Sequence, residues 1–364
     1  MALATPRHRT TARGTISLLH LVGFVLAGVV GCSAAATNLS DAGLSLTGGQ
    51  QASQGGSYGR VVTAPPSSEA SSATAVMAYG SIPRSFDDTP AAADEAALAT
   101  SDPVLVGAGD IARCDRDSDS STARLIESIT GVVFTAGDNA YEDGSGADFS
   151  KCYAPTWGAF KDRTLPAIGN HEYHTPGASG YFDYFGRRAG SRGRGWYSTN
   201  IGTWHIVVLN SDCTIVGCGT GSRQLSWLKA DLAAHPAACT LAIWHHPLFS
   251  SGMHGNNVAV RPFWKALSAV RAEIVINGHD HDYERFSLQT PYGVVDQERG
   301  IREFVVGTGG AQLGHFVSIK PHSRARTART HGVLVLTLHA ASYNWRFESA
   351  DGATFTDRGW THCH

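Results

Sequence analysis

The sequence predicts an α/β layered fold, and three observations carry that expectation. Five short apolar runs, each closed by a polar residue, read as buried strands: Val104–Asp110, Val132–Asp138, Leu165–Asn170, Leu241–His245 and Ile274–His279. Segments of helical spacing lie between them, with Leu225, Leu228 and Leu232 ahead of Cys239 and Pro262–Arg271 ahead of the last run. Finally, 42% hydrophobic and 16% charged residues in a chain of 364 can bury a sizeable core. After Gly300 the pattern is mostly strand (Phe304–Val306, Val333–Leu338, Tyr343–Phe347), a set able to complete a second sheet.

The chain divides into three stretches. Residues 1–32 carry Arg7, Arg9 and Arg13 and then an apolar run from Ile16 to Val30, the charge order of a secretory leader and too short for a comfortable transmembrane helix. The run closes on Val29-Val30-Gly31-Cys32, which resembles a bacterial lipobox, so Cys32 is a candidate lipid anchor to the membrane. Ordinary cleavage within Ser33–Ala36 is the alternative. Either route takes the chain out of the cytoplasm, secreted or held at the cell envelope. Residues 33–101 are dominated by Ala, Ser, Gly and Thr without an apolar period, and read as a disordered tether. The globular domain is expected over 102–364.

Composition narrows the partners. With 29 Lys and Arg against 31 Asp and Glu, the formal charge of −2 provides no broad basic field, so a nucleic-acid partner is not expected. Oligomeric state has no signature here. Setting Cys32 aside leaves six of the seven cysteines, an even number suited to disulfides in an oxidising compartment. Cys213 and Cys218 close the smallest loop. For the rest, Cys114 with Cys152 and Cys239 with Cys363 are expected, although spacing alone does not choose among the pairings.

All five runs deliver oxygen or nitrogen donors at their carboxyl ends: Asp110, Asp138 with Tyr141, Asn170 with His171, His245 with His246, and His279 with His281. Ligands of open α/β sheets bind at that end of the strands. Any one of these residues is ordinary, since an Asp after Gly caps turns and a lone His is usually a core residue. Five together at matching positions point to a metal site for hard or borderline ions.

The set Gly109-Asp110, Gly137-Asp-Asn-Ala-Tyr141, Gly169-Asn-His-Glu172, Trp244-His-His246 and Gly278-His-Asp-His281 resembles the ordered motifs of the calcineurin-like metallophosphoesterases. The Gly-Asp-x-x-Tyr form of the second motif is similar to the purple acid phosphatase branch, as is the segment from His245 to His254. The resemblance implies a four-layer α/β/β/α sandwich with two facing mixed sheets and a dinuclear site at strand carboxyl ends. It also implies one metal on Asp110, Tyr141 and His281, a second on Asn170, His245 and His279, and Asp138 bridging both. The implied cofactors are two metal ions, Fe(III) paired with Zn, Mn or Fe(II), and the implied proton donors are His171 and His254. The expected activity is that of a secreted acid phosphatase-like hydrolase, attacking small phosphomonoesters with a metal-bound hydroxide. Two other readings stay open: a phosphodiesterase on nucleotides or glycerophosphodiesters, and a surface protein that keeps the metals without turnover.

One departure bears on this assignment. The first motif, Asp110-Ile-Ala112, lacks the imidazole that many members of the superfamily place there, and Tyr141 would fill the vacancy. As a merely structural aromatic, Tyr141 would leave the first metal short of a ligand. Glu172 and Asp280 are expected to hold ring N–H groups, His246 to support His245, Arg285 to form an exposed ion pair, and Lys320–Arg329 to be a solvated loop.

Overall fold

The computed structural model describes residues 102–364. The expected leader, Cys32 and the tether lie outside the described residues. Thirteen strands form two sheets: β1 (Val104–Ala108), β2 (Val132–Ala136), β3 (Thr164–Ala167), β4 (Tyr197–Ile201), β5 (Trp204–Val208), β6 (Cys239–Ile243), β7 (Ile274–Asn277), β8 (Tyr283–Phe286), β9 (Arg302–Val306), β10 (Ser323–Thr327), β11 (Gly332–His339), β12 (Ser342–Ser349) and β13 (Asp357–His362). The first sheet runs β13-β12-β11-β1-β2-β3 and the second β10-β8-β9-β7-β6-β5-β4. Both are mixed. β1, β2 and β3 are mutually parallel, as are β5, β6, β7 and β9, while the outer pairings are antiparallel.

The motif-bearing runs are therefore shared between sheets, three in the first and two in the second. The late strands divide as well: β9 and β10 join the second sheet, but β11, β12 and β13 extend the first. The expectation that these runs complete a second sheet holds for Phe304–Val306 and is corrected for Val333–Leu338 and Tyr343–Phe347, which extend the first. Val333–Leu336 are fully buried in β11, and a strand apolar on both faces needs an interior place, which it finds beside β1.

Strand alternation assigns the faces. Ile206, Val208, Leu241, Ile243, Ile274 and Ile276 pack in one core with first-sheet residues such as Leu105 and Val133. Their neighbours Val207, Ala242 and Val275 point the other way, onto Leu225, Leu228 and Leu232 of the helix Arg223–Ala234 and Phe263, Trp264 and Leu267 of the helix Arg261–Ala269. Each fully buried leucine there contributes about 1.5–3 kcal/mol. The first sheet carries the helix Ser118–Glu127, whose Ile126 is buried. The result is the α/β sandwich that the sequence predicts.

Two surface expectations change. Ser323–Thr327, within the basic segment read as a loop, is β10, an edge strand whose exposed Arg324 and Arg326 discourage pairing with another chain. Arg285 is largely buried rather than exposed. Its Nε donates to Asp357 Oδ2 at 2.6 Å and its guanidinium lies 5.0 Å from the Trp345 ring centre, so it ties β8 to β12 and β13 across the two sheets.

All three expected disulfides form: Cys114–Cys152, Cys213–Cys218 and Cys239–Cys363. The last closes the longest loop and fastens the C-terminus to the start of β6, while the first pins the segment after the Asp110 motif. None of the helices in the described residues is long and apolar enough to cross a membrane.

Candidate metal centre

Each motif residue sits just past its strand, in a backbone conformation that aims it between the sheets. Asp110 and Asp138 follow β1 and β2, and the ladder continues through the loops, with Asp110 N–H donating to Gly137 O (3.0 Å), Ile111 N–H to Asp138 O (2.9 Å) and Tyr141 N–H to Ala112 O (2.8 Å). In the second sheet the β6–β7 ladder continues likewise, with Gly278 N–H donating to His245 O at 3.0 Å. Asp110, Asp138 and His279 adopt left-handed φ of 58°, 49° and 71°, costing about 1–2 kcal/mol each in a non-glycine residue. Strain of this kind concentrates at functional sites. The preceding glycines are required by crowding: a Cβ on Gly169 would stand 2.1 Å from Asp138 Oδ1, and one on Gly278 2.5 Å from Asp110 Oδ2.

Seven side chains converge. The Tyr141 hydroxyl donates to Asp110 Oδ1 at 2.8 Å and lies 3.2 Å from Asp138 Oδ2 and 3.1 Å from His281 Nε2. His281 Nε2 is 3.2 Å from Asp110 Oδ1. On the other side, His245 Nε2 lies 3.1 Å from Asp138 Oδ2, 3.1 Å from Asn170 Oδ1 and 3.2 Å from His279 Nδ1. One atom, Asp138 Oδ2, is thus common to a Tyr141/Asp110/His281 group and a His245/Asn170/His279 group. Asp138, His245 and His279 bring ligand atoms within 4.8 Å of one another. Tyr141 turns its oxygen into the cluster, and it occupies the neighbourhood that the missing imidazole at Ala112 leaves free.

The ring orientations are locked from behind. Reading tautomers from the hydrogen-bond network, His245 Nδ1 donates to Ala136 O (2.8 Å) and His281 Nδ1 to Gln312 O (2.7 Å), so both Nε2 atoms face the carboxylates. These two carbonyl anchors carry no sequence signal. Glu172 and Asp280 do not hold ring N–H groups, contrary to expectation. Glu172 accepts backbone N–H groups of Gly169 (2.7 Å), Asn139 (2.7 Å) and Asp138 (3.2 Å), fixing two motif loops to each other. Asp280 accepts His254 N–H (2.7 Å), Gly255 N–H (3.1 Å) and the Ser250 hydroxyl. Both carboxylates are fully buried where main-chain donors would otherwise lack partners. His246 Nδ1 faces Ser211 Oγ at 2.9 Å and its ring packs 4.3 Å from that of His279.

Electrostatics describe a pocket built for positive charge. Burial disfavours imidazolium at His245 and His281, yet the Asp138 and Asp110 carboxylates override it and raise both rings well above the ordinary histidine value. Asp138 is held far below the carboxylate range: burial pushes it up and the charge on His245 prevails. His279 is driven down by burial and by its histidine neighbours, and His246 falls to about 3 for the same reasons. Burial, then Asp110 and Asp138, push the Tyr141 phenol well above its usual value. Without metal, protons occupy the places between donors. The set of two carboxylates, a phenol, an amide and three imidazoles fits two hard or borderline cations.

His171 and His254 flank this cluster. His171 N–H donates to Asp138 Oδ1 at 2.9 Å, its Nδ1 to Glu142 O at 2.6 Å, and its Nε2 stands 4.0 Å from Asp138 Oδ2. His254 is exposed and packs its ring 4.3 Å from His279. Arg113, which the motif reading passed over, salt-bridges Glu142 at 2.8 Å and lies 5.5 Å from the Tyr141 ring. Its place behind the second motif depends on the Cys114 loop and has no local signature.

A family profile described as calcineurin-like phosphoesterase matches residues 98–283, and the chain belongs to that family. It is similar to purple acid phosphatase 15 of Arabidopsis thaliana, 26% identical over 52% of this chain and 41% of that protein, and to purple acid phosphatase 22 of the same plant, 28% identical over 45% and 40%. The chain spans less than half the length of these curated relatives. Among solved structures, a purple acid phosphatase from yellow lupin seeds superposes with a TM-score of 0.54 at 20% identity, covering 70% of this chain and 53% of that one. GAP50, the anchor in the inner membrane complex of Plasmodium, gives 0.53 at 14% identity, covering 71% and 88%. The last two likenesses concern the fold. Family membership makes metal-dependent phosphoester hydrolysis the class of chemistry that this domain carries.

Because the Gly169 Cβ position coincides with Asp138 Oδ1, Gly169→Ala should displace the shared carboxylate, lowering bound metal and cutting kcat by at least about 10-fold. Gly146→Ala, with open space around the added methyl, should leave both unchanged. Metal analysis and steady-state rates of the two variants check this.

Proposed function

We propose that this protein is an extracytoplasmic phosphomonoesterase working at a dinuclear metal centre. The observation that carries this reading is Asp138 Oδ2, common to two complete donor groups. Asp110, Tyr141 and His281 would hold one ion, Asn170, His245 and His279 the other, with Asp138 shared. Two such ions supply Lewis acidity toward phosphate oxygens and an activated water.

The chain's own residues do the rest. His245 and His281 would ligate through Nε2 as neutral rings, and their Nδ1 anchors on Ala136 O and Gln312 O keep those nitrogens aimed inward. His254, exposed beside His279 with its backbone fastened to Asp280, can protonate the departing alkoxide. His171, tethered through Glu142 O with its Nε2 4.0 Å from Asp138 Oδ2, is the second candidate to protonate the departing oxygen. Tyr141 favours Fe(III) at the first position, paired with Zn, Mn or Fe(II), because a phenolate oxygen is a strong ligand for a hard trivalent ion. Three disulfides support folding outside the cytoplasm, either freely secreted or anchored through Cys32. A metal-holding protein without turnover is the less favoured reading, since it gives the exposed His254 no task.

A panel of alkyl phosphates, p-nitrophenyl phosphate and its bis ester tests the assignment. The monoesters should be turned over faster than the diester; the reverse order makes the protein a diesterase, and no turnover by the metal-loaded protein makes it a binding protein. His254→Ala should retain both metals and lose roughly 100-fold in kcat on alkyl esters, with a smaller loss on the aryl ester, whose leaving group needs no proton. Metal loss in that variant would instead make His254 a ligand.

Iron-loaded wild type should show a visible absorption band that vanishes in Tyr141→Phe. A colourless, fully active protein with two divalent ions would remove Tyr141 as the selector of iron.

A further inference from the structure

A second cluster of metal-binding side chains lies at the opposite end of the second sheet. His205 on β5, Asp231 in the helix Arg223–Ala234 and His235 immediately after that helix bring ligand atoms within 4.8 Å of one another. His205 Nε2 is 2.9 Å from Asp231 Oδ2, and His235 Nδ1 is 3.2 Å from Asp231 Oδ1. His205 pairs in register with Thr240 near the start of β6, whereas His245 lies beyond the end of that strand. Five residues of extended chain separate the two positions by about 16 Å. The cluster is thus independent of the catalytic centre.

Proton accounting around His205 points to a cation. The ring is buried, with Nδ1 2.8 Å from Asn200 Oδ1 and Nε2 against Asp231. A neutral imidazole has one N–H, so once Nδ1 donates to Asn200, the Nε2 lone pair confronts a carboxylate oxygen. His235 approaches the same carboxylate from the other side, with Nδ1 3.2 Å from Asp231 Oδ1 and 2.9 Å from the Asp231 main-chain O, and its ring lies within 15° of parallel to that of His205, 5.0 Å away. A single divalent ion would take His205 Nε2, His235 Nδ1 and a carboxylate oxygen of Asp231 together, with the His235 Nδ1 proton released to solvent. His245 has the same arrangement in the centre described above, one ring nitrogen anchored on oxygen and the other facing Asp138.

We propose that His205, Asp231 and His235 form a separate structural site for a divalent transition-metal ion of the zinc class, fastening the β4–β5 edge to the helix above it. Two imidazoles and one carboxylate suit such an ion, and the fourth position falls to solvent or to Ser198 Oγ, already 2.8 Å from Asp231 Oδ1. His235 is 47% exposed, which gives the ion a way in.

The test uses the full chain, stripped with chelator and reloaded with Zn²⁺, with zinc counted per protein and melting followed with and without the metal. His235→Ala and His235→Gln should each hold one zinc fewer than wild type, lose most of the zinc-dependent rise in Tm, and keep phosphate-ester turnover. The difference of one persists even if the catalytic centre loads poorly, so the two proposals fail separately. An unchanged zinc count in both variants, including a lower Tm at constant count, overturns the site and leaves a hydrogen-bonded histidine pair.

Discussion

Two carboxylates, Asp110 and Asp138, are buried on the same phenolic oxygen, and the structure around them is organised by the need to neutralise that charge. Removing a carboxylate from water costs several kcal/mol even after relaxation, and two side by side would each favour protonation. Here the imidazoles of His245 and His281 face those carboxylates, and on the proposed assignment the same nitrogens and oxygens form the ligand set. Asp138 matters most because one of its oxygens serves both halves.

The scaffold makes this arrangement possible by dividing the donors between two sheets. Asp110, Asp138 and Asn170 come from parallel strands of one sheet, His245 and His279 from parallel strands of the other, so both sets converge where the strand ends meet. Close approach is then enforced by absent side chains at Gly169 and Gly278 and by three left-handed residues. Glu172 and Asp280, fully buried, satisfy the main-chain N–H groups that such tight loops would otherwise orphan. The core between the sheets holds the two halves in fixed register, and the buried Arg285–Asp357 pair ties them again farther out.

Much of this was legible in the sequence, and unevenly. Apolar runs closed by a polar residue located β1, β2, β3, β6 and β7, because a strand buried on both faces must be continuously apolar and its end must deliver the donor. The seven converging residues followed from motif order and the resemblance it carries, and the Cys213–Cys218 disulfide from its short loop, whereas spacing does not encode the partners of the other four cysteines. β4, β10 and β13 escaped notice, since half-buried or edge strands such as Ser323–Thr327 alternate with polar residues and look like loop, while the interior strands β5 and β8 are short and interrupted by His205 and by Glu284 and Arg285. Allocation of β11–β13 to the first sheet depends on nonlocal pairing with β1, which no local pattern encodes. Glu172 and Asp280 were assigned to the wrong partners for a similar reason: main-chain N–H groups are invisible until the loops are folded. The His205, Asp231 and His235 cluster joins positions on a strand and a helix, and only the i to i+4 step from Asp231 to His235 was visible beforehand.

Anomalous diffraction from crystals of the metal-loaded protein, recorded at the absorption edges of iron and zinc, tests the shared carboxylate most directly. Two peaks are expected, both within bonding distance of Asp138, one beside Tyr141 and His281 and the other beside Asn170, His245 and His279. A single peak among these residues, or a pair in which either ion is out of reach of Asp138, would contradict a centre built on one bridging oxygen.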